Sequence, residues 1–110
     1  MQKSSLTALG HRQLEAARRD GRGRSAHTVY GGHEHVLRQT LIALIAGEEL
    51  REHDSPGEAT VQVLSGRVRL LAGEDSWDGM AGDLIIVPDR RHSLEAAEDA
   101  VVLLTVAMHR

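Results

Sequence analysis

The chain has 110 residues and a net charge of −3, which leaves room for one compact domain and little more. Hydrophobic residues make up 41%, enough for a packed core and too many for a disordered chain. The absence of cysteine excludes disulfides, thiolate metal sites and a thiol nucleophile; with one Trp, one Tyr and no Phe, the core has to be built from Leu, Val, Ile and Ala.

Residues 4–19 read as a helix. Ser4 or Ser5 can cap it, because a serine oxygen accepts from a backbone N–H of the first turn. Leu6, Leu9, Gln13 and Ala17 fall on one face with Leu14 and Ala16 beside it, a thin stripe that needs the rest of the molecule or a partner chain to cover it. Gly10 weakens the helix by about 1 kcal/mol relative to Ala. Asp20-Gly21-Arg22-Gly23 ends it. Charge is uneven: residues 1–24 carry six basic side chains against Glu15 and Asp20. Without a nucleic-acid motif or an aromatic stacking surface, this segment is expected to be a solvated helix and basic linker rather than a nucleic-acid contact. The N-terminus lacks the apolar centre of a signal peptide, and no apolar run approaches the roughly 18 residues needed to span a bilayer. A soluble cytoplasmic protein with no membrane partner is expected.

From Ala26 the pattern changes to short strand-like segments separated by turn signals. Ala26–Tyr30 is followed by Gly31-Gly32, a hairpin turn. Val36–Ala46 is nearly continuously apolar after Gln39, as for a strand covered on both sides. Leu50–His53 is short. Ala59–Leu64 alternates, with Ala59, Val61 and Val63 on one face and Thr60, Gln62 and Leu64 on the other. Arg67–Leu71 sets Arg67 and Arg69 against Val68 and Leu70. Ser76–Met80 is a weak strand after a loop at 73–76, Leu84–Val87 an apolar one ended by Pro88. His92–Ala96 and the β-branched Ala100–Ala107 complete the chain. One helix and nine or ten strands, with no helical crossover between strands, predict an antiparallel sandwich or barrel.

Gly47, His53 and Gly66, followed by Gly82-Asp83-Leu84-Ile85-Ile86-Val87-Pro88 and His92, resemble the two sequence motifs of the cupins over about residues 28–108. The resemblance implies an all-β, double-stranded β-helix or jelly-roll barrel at 25–110, with a short N-terminal helix and linker at 1–24. In many cupins the barrel holds one divalent metal (Zn, Fe, Mn or Ni). The first motif places a glycine five residues before His-x-His, then a Glu, then a glycine six residues on. Gly47 and His53 fit this spacing; Ser55 stands at the second His position and Ala59 at the Glu position. His92 takes the place of the last ligand, one residue nearer the proline than usual. Two of four ligand positions, His53 and His92, are thus retained.

Two imidazoles without a carboxylate make an incomplete centre for such metals. Gln62 has the wrong strand parity to replace the missing Glu, and Glu58 shares that parity and reads as a turn residue. His33 and His35 would share a face if extended and could, with His27, fold over the barrel mouth; exposed turn residues are the simpler expectation. His11 and His109 read as surface residues. Asp75, Asp78 and Asp83 are scattered through turns, Arg67 and Arg69 mark a solvated strand face, and Arg90-Arg91 a charged turn. The order of residues shows no Ser-His-Asp arrangement and no glycine-rich phosphate loop.

The expected function is binding of a small molecule in a barrel pocket lined by His53, His92, Val61 and Val63, without an assigned reaction. There the two imidazoles would serve as hydrogen-bonding groups or a base near neutral pH. The alternatives are a metal-dependent isomerase, lyase or dioxygenase using His53 and His92, and a structural dimer with a vestigial pocket. A homodimer is expected, because the apolar faces of Val36–Ala46 and Ala100–Ala107 exceed what one small barrel needs to fill itself.

Overall fold

The computed structural model describes residues 2–53 and 57–108, apart from the side chains of Glu52 and His53. Ser55 and His109, singled out above, lie outside the described residues. Helix α1 spans Leu6–Arg19, and Ser5 caps it by accepting from the Ala8 N–H at 3.2 Å. Arg18 and Arg19 occupy its last turn, where cations suit the negative end of the helix dipole. No helix among the described residues is long and apolar enough to cross a membrane.

Among the described residues nine strands follow: β1 Arg24–Tyr30, β2 Leu37–Leu44, β3 Glu49–His53, β4 Gly57–Ser65, β5 Arg67–Ala72, β6 Asp75–Met80, β7 Leu84–Ile86, β8 His92–Ala96 and β9 Ala100–Met108. They form two antiparallel sheets, in the orders β1-β2-β9-β4-β7 and β3-β8-β5-β6. The chain changes sheet at every step from β2 to β5 and again at every step from β6 to β9, the winding of a double-stranded β-helix. Several bounds differ from the sequence expectation. β1 begins at Arg24, inside the segment assigned to the linker, and β6 begins at Asp75. β4 begins at Gly57, so Glu58 is a strand residue and not part of a turn.

The pairings define two ends. At one, Leu44 opposes Ala100, Ser65 opposes Val101, and Gly47 and Ala97 bond to Ala96 and Arg67. At the other, Leu37 opposes Ala107, Gly57 opposes Met108 and His53 opposes His92. Between the sheets lies the larger core, with Ile42, Leu44, Val61, Val63, Val68, Leu70, Leu94 and Val102 among its members. Gly79 closes the β6–β7 flank: a Cβ there would lie 2.9 Å from Ile85 Cδ1 and 3.0 Å from Val63 Cγ2.

A second core lies outside the barrel. Leu41, Ala43 and Val101 point away from the lumen and are buried with Ala17 under α1, with Leu6, Leu9 and Leu14 packed around them. The double-sided apolar character of β2 therefore has an intramolecular cause. The surplus that suggested a partner chain is, at these residues, covered by the chain's own helix.

Candidate ligand site at the His92 end

Alternation along β8 buries His92, Leu94 and Ala96 and leaves Ser93 and Glu95 only partly covered, so His92 is an inward position. Its imidazole is 5% exposed. Nδ1 lies 2.9 Å from the Arg90 carbonyl oxygen, which can only accept, so Nδ1 carries the proton. In the neutral ring Nε2 is then the basic nitrogen. On β3, Glu49 opposes Glu95 and Leu50 opposes Leu94; the register then slips by one residue, and His53 stands opposite His92. The two histidine backbones are thus cross-strand neighbours at one end of the four-stranded sheet.

Facing them, the inner surface of the five-stranded sheet is ordered in rows. Ile42, Val102 and Val63 form one row, and Thr40, Leu104, Val61 and Ile85 the next toward the His92 end. Arg38, Val106 and Ala59 form the third, extended by the Val87 N–H donating to the Ala59 carbonyl at 3.0 Å, with the Gly57–Met108 pair beyond it. Val61 and Val63, expected as pocket walls, sit deep in the packed core, with Val63 0% exposed. Ala59, at the carboxylate position of the cupin motif, lies one row in from the Gly57–Met108 pair and is part of the core.

Arg38 was not singled out from the sequence. The continuous apolar run after Gln39 hid the alternation, but counting back by twos from Leu44 through Ile42 and Thr40 puts Arg38 on the inner face. Its half-buried side chain donates Nε to the His35 carbonyl at 3.2 Å and Nη2 to the His33 carbonyl at 3.4 Å. His33 and His35 are not extended as the His-x-His idea required. The His35 N–H donates to the Gly32 carbonyl at 3.0 Å in a turn, and the His35 ring sits edge-on to Tyr30 at 5.2 Å. His27 opposes Leu41 and so faces outward, exposed.

The remaining charged candidates make surface contacts. Arg69 bonds Asp78 at 2.9 Å, Arg67 approaches Glu98 at 3.4 Å, and Arg90 pairs with Asp75. Such exposed pairs contribute about 0–1 kcal/mol each. Asp83 accepts from the Met80 N–H at 2.9 Å, a turn role. A groove of about 340 Å³ runs between Arg67, Arg69, Asp78 and Glu95, the outer face of the four-stranded sheet. A cleft of about 590 Å³ lies on the outward face of the five-stranded sheet, where Glu58, Thr60, Ile86, Thr105 and Ala107 line it together with Asp89.

The donors described here do not fit a metal. Ala59 offers no ligand atom, and Gln62 and Glu58 face outward and are exposed. No group of three or more His, Cys, Asp or Glu side chains converges among the described residues.

No family model and no curated protein matches the sequence. Solved structures do. A conserved protein of unknown function from Streptococcus pyogenes is 28% identical with a TM-score of 0.72, over 79% of this chain and 75% of that one. A cupin superfamily protein from Desulfitobacterium hafniense is 15% identical with a TM-score of 0.72, over 78% of each chain. A salicylate 1,2-dioxygenase variant from Pseudoaminobacter salicylatoxidans has a TM-score of 0.76 at 19% identity, covering 96% of this chain but 34% of the enzyme. The chain is therefore a small cupin-fold protein; the resemblance of its sequence to the cupin motif puts Ser55 and Ala59 where that motif has ligands.

Proposed function

We propose that the protein binds a small organic molecule at the His92 end of its barrel, through His53 and His92, with no metal-dependent reaction. The observation that carries this reading is the buried inward imidazole of His92, set opposite an inner sheet face whose Arg38–Val106–Ala59 row holds no carboxylate. Around it, Val106 and Val87 offer an apolar wall, the composition usual for small-molecule sites. Cupin-fold neighbours include an enzyme and proteins of unknown function, so the fold alone favours neither binding nor catalysis.

The test is a fragment screen by NMR on the isotopically labelled chain, beside elemental analysis of the purified protein. Chemical-shift changes centred on His92, Ala59 and Val87, lost in the His92→Ala variant, are expected. Stoichiometric metal that disappears in the His53→Ala, His92→Ala double variant would instead establish the metal-dependent alternative.

A further inference from the structure

We propose that residues 87–91, the link from β7 to β8, form a strap that gates His92 and is held closed by a latch from Arg90 to Asp75 and Trp77; its meaning as a gate rests on the binding reading above. The His92 imidazole is 5% exposed, and neither the groove of about 340 Å³ nor the cleft of about 590 Å³ is lined by it. A molecule that meets this ring therefore needs part of the protein to move. The strap is in contact with the ring: Nδ1 lies 2.9 Å from the Arg90 carbonyl oxygen, so the strap backbone sits against the imidazole.

The strap crosses from one sheet to the other at the His92 end. It starts fixed to β4, where the Val87 N–H donates to the Ala59 carbonyl at 3.0 Å, and it ends at the β8 ladder, where His92 opposes His53. Between these points Asp89, Arg90 and Arg91 are exposed, and the Arg90 N–H donates back to the Pro88 carbonyl at 2.8 Å in a tight local turn. From this turn the Arg90 side chain reaches β6. Its Nη2 donates to Asp75 Oδ2, and its guanidinium carbon stands 5.9 Å from the Trp77 ring centroid. β6 is placed to receive it. Leu70 opposes both Trp77 and Leu94, so Trp77 belongs to the inner face of the four-stranded sheet, and Asp75, two residues earlier, to the next row toward the His92 end. Arg90 thus couples two sites: its carbonyl meets the buried imidazole, and its side chain is tied to the edge strand two places beyond β8. The latch is itself solvated, with the Arg90 and Asp75 side chains 48% and 61% exposed, so it can open while β8 and the core stay in place.

The experiment measures opening without a ligand, as the rate at which diethylpyrocarbonate modifies each histidine of the full chain at one pH, read by mass spectrometry. In wild type, His92 is expected to react about ten-fold more slowly than the exposed His11 and His27. Arg90→Gln, which removes both latch contacts, should speed His92 about five-fold, and Asp75→Asn about three-fold, with His11 and His27 unchanged. Asp75→Asn added to Arg90→Gln should change nothing further. Nitrogen NMR of the imidazole gives a second readout: the Nδ1–H tautomer in wild type, and a mixture of tautomers once the Arg90 carbonyl moves away. His92 reacting as fast as His27 in wild type, or an unchanged rate in Arg90→Gln, overturns the strap. Should the variants not fold, sodium chloride at about 1 M, which screens the exposed latch, has to speed His92 in wild type, and an unchanged rate there overturns the strap as well. A fragment screen with no binding at His92 removes the binding reading instead, while these rates still decide whether the strap opens.

Discussion

Gly66 has φ +77°, and a Cβ there would press on the Asp99 carbonyl oxygen and lie 2.8 Å from Ala100 Cα. Gly82 has φ +95° with nothing near its Cβ position. The pair separates two effects that a sequence shows as one turn signal. Gly82→Ala should lose only the backbone strain, about 1 kcal/mol, whereas Gly66→Ala adds a backbone collision and should lose 3 kcal/mol or more. Urea unfolding of both variants measures the difference, and equal losses would contradict the packing at the β4–β5 turn. The spacing of glycines made the turns legible, but which of them presses against a distant strand was not, because Asp99 and Gly66 meet only through the fold. The same holds for the site. Parity was enough to separate Val61 and Val63 from Gln62, whereas the inward register of Arg38 escaped notice because the apolar run after Gln39 covers both faces and masks the alternation that leads back to it.

Among the elements, α1 decides most. Its buried Gly10 lets the helix lie close on β9: a Cβ there would be 3.3 Å from Val101 Cγ1. Helix propensity favours alanine at this position by about 1 kcal/mol, so Gly10→Ala is expected near neutral, while Gly10→Leu should lift the helix and lose 1–3 kcal/mol. Leu41, fully buried beneath the helix, should lose about 2–5 kcal/mol as Leu41→Ala. The end of α1 is also tied electrostatically. The Asp99 carboxylate accepts from the Ala46 N–H at 2.9 Å and from Arg18 at 2.8 Å. The Ala46 N–H first, and Arg18 second, hold the Asp99 carboxyl below its ordinary range. A depressed folded-state pKa stabilises the fold above the unfolded value, near 3.9, and that contribution is lost as pH falls below it. Asp99→Asn should therefore reduce stability at pH 7, by about 1 kcal/mol or less for so exposed a group, and flatten its decline between about pH 5 and 3. Chemical unfolding across that range checks the slope. Apolar residues on both faces of β2 were legible in the sequence; their cover was not, since the thin stripe of Leu6, Leu9, Leu14 and Ala17 gives no sign of which surface it will meet.

Taken as a whole, the molecule folds as its motif glycines and alternating strands predicted, yet the helix covers only part of the outer sheet. Beyond it, the rows Gln39–Thr105–Thr60–Ile86 and Leu37–Ala107–Glu58 run across the outward face. Ile86 is 68% exposed, Leu84 on the same strand 58% and Leu37 44%. Glu58 is the one charged member of these rows, so an identical face laid against it would meet apolar and neutral polar groups with little repulsion. The homodimer expected from sequence is accordingly proposed to form through this face, β7 and β4 against their copies, rather than through the residues that α1 already buries. Stable interfaces of this kind bury about 1,200–2,000 Å² in total. Sedimentation at tens of micromolar should give a dimer. Ile86→Lys would place two like charges near the two-fold axis and should yield a monomer, with stability changed by no more than about 0.5 kcal/mol because the side chain is solvated in the single chain. A wild-type monomer would refute the dimer, and a dimer indifferent to Ile86→Lys and Leu84→Lys would move the interface elsewhere on the molecule.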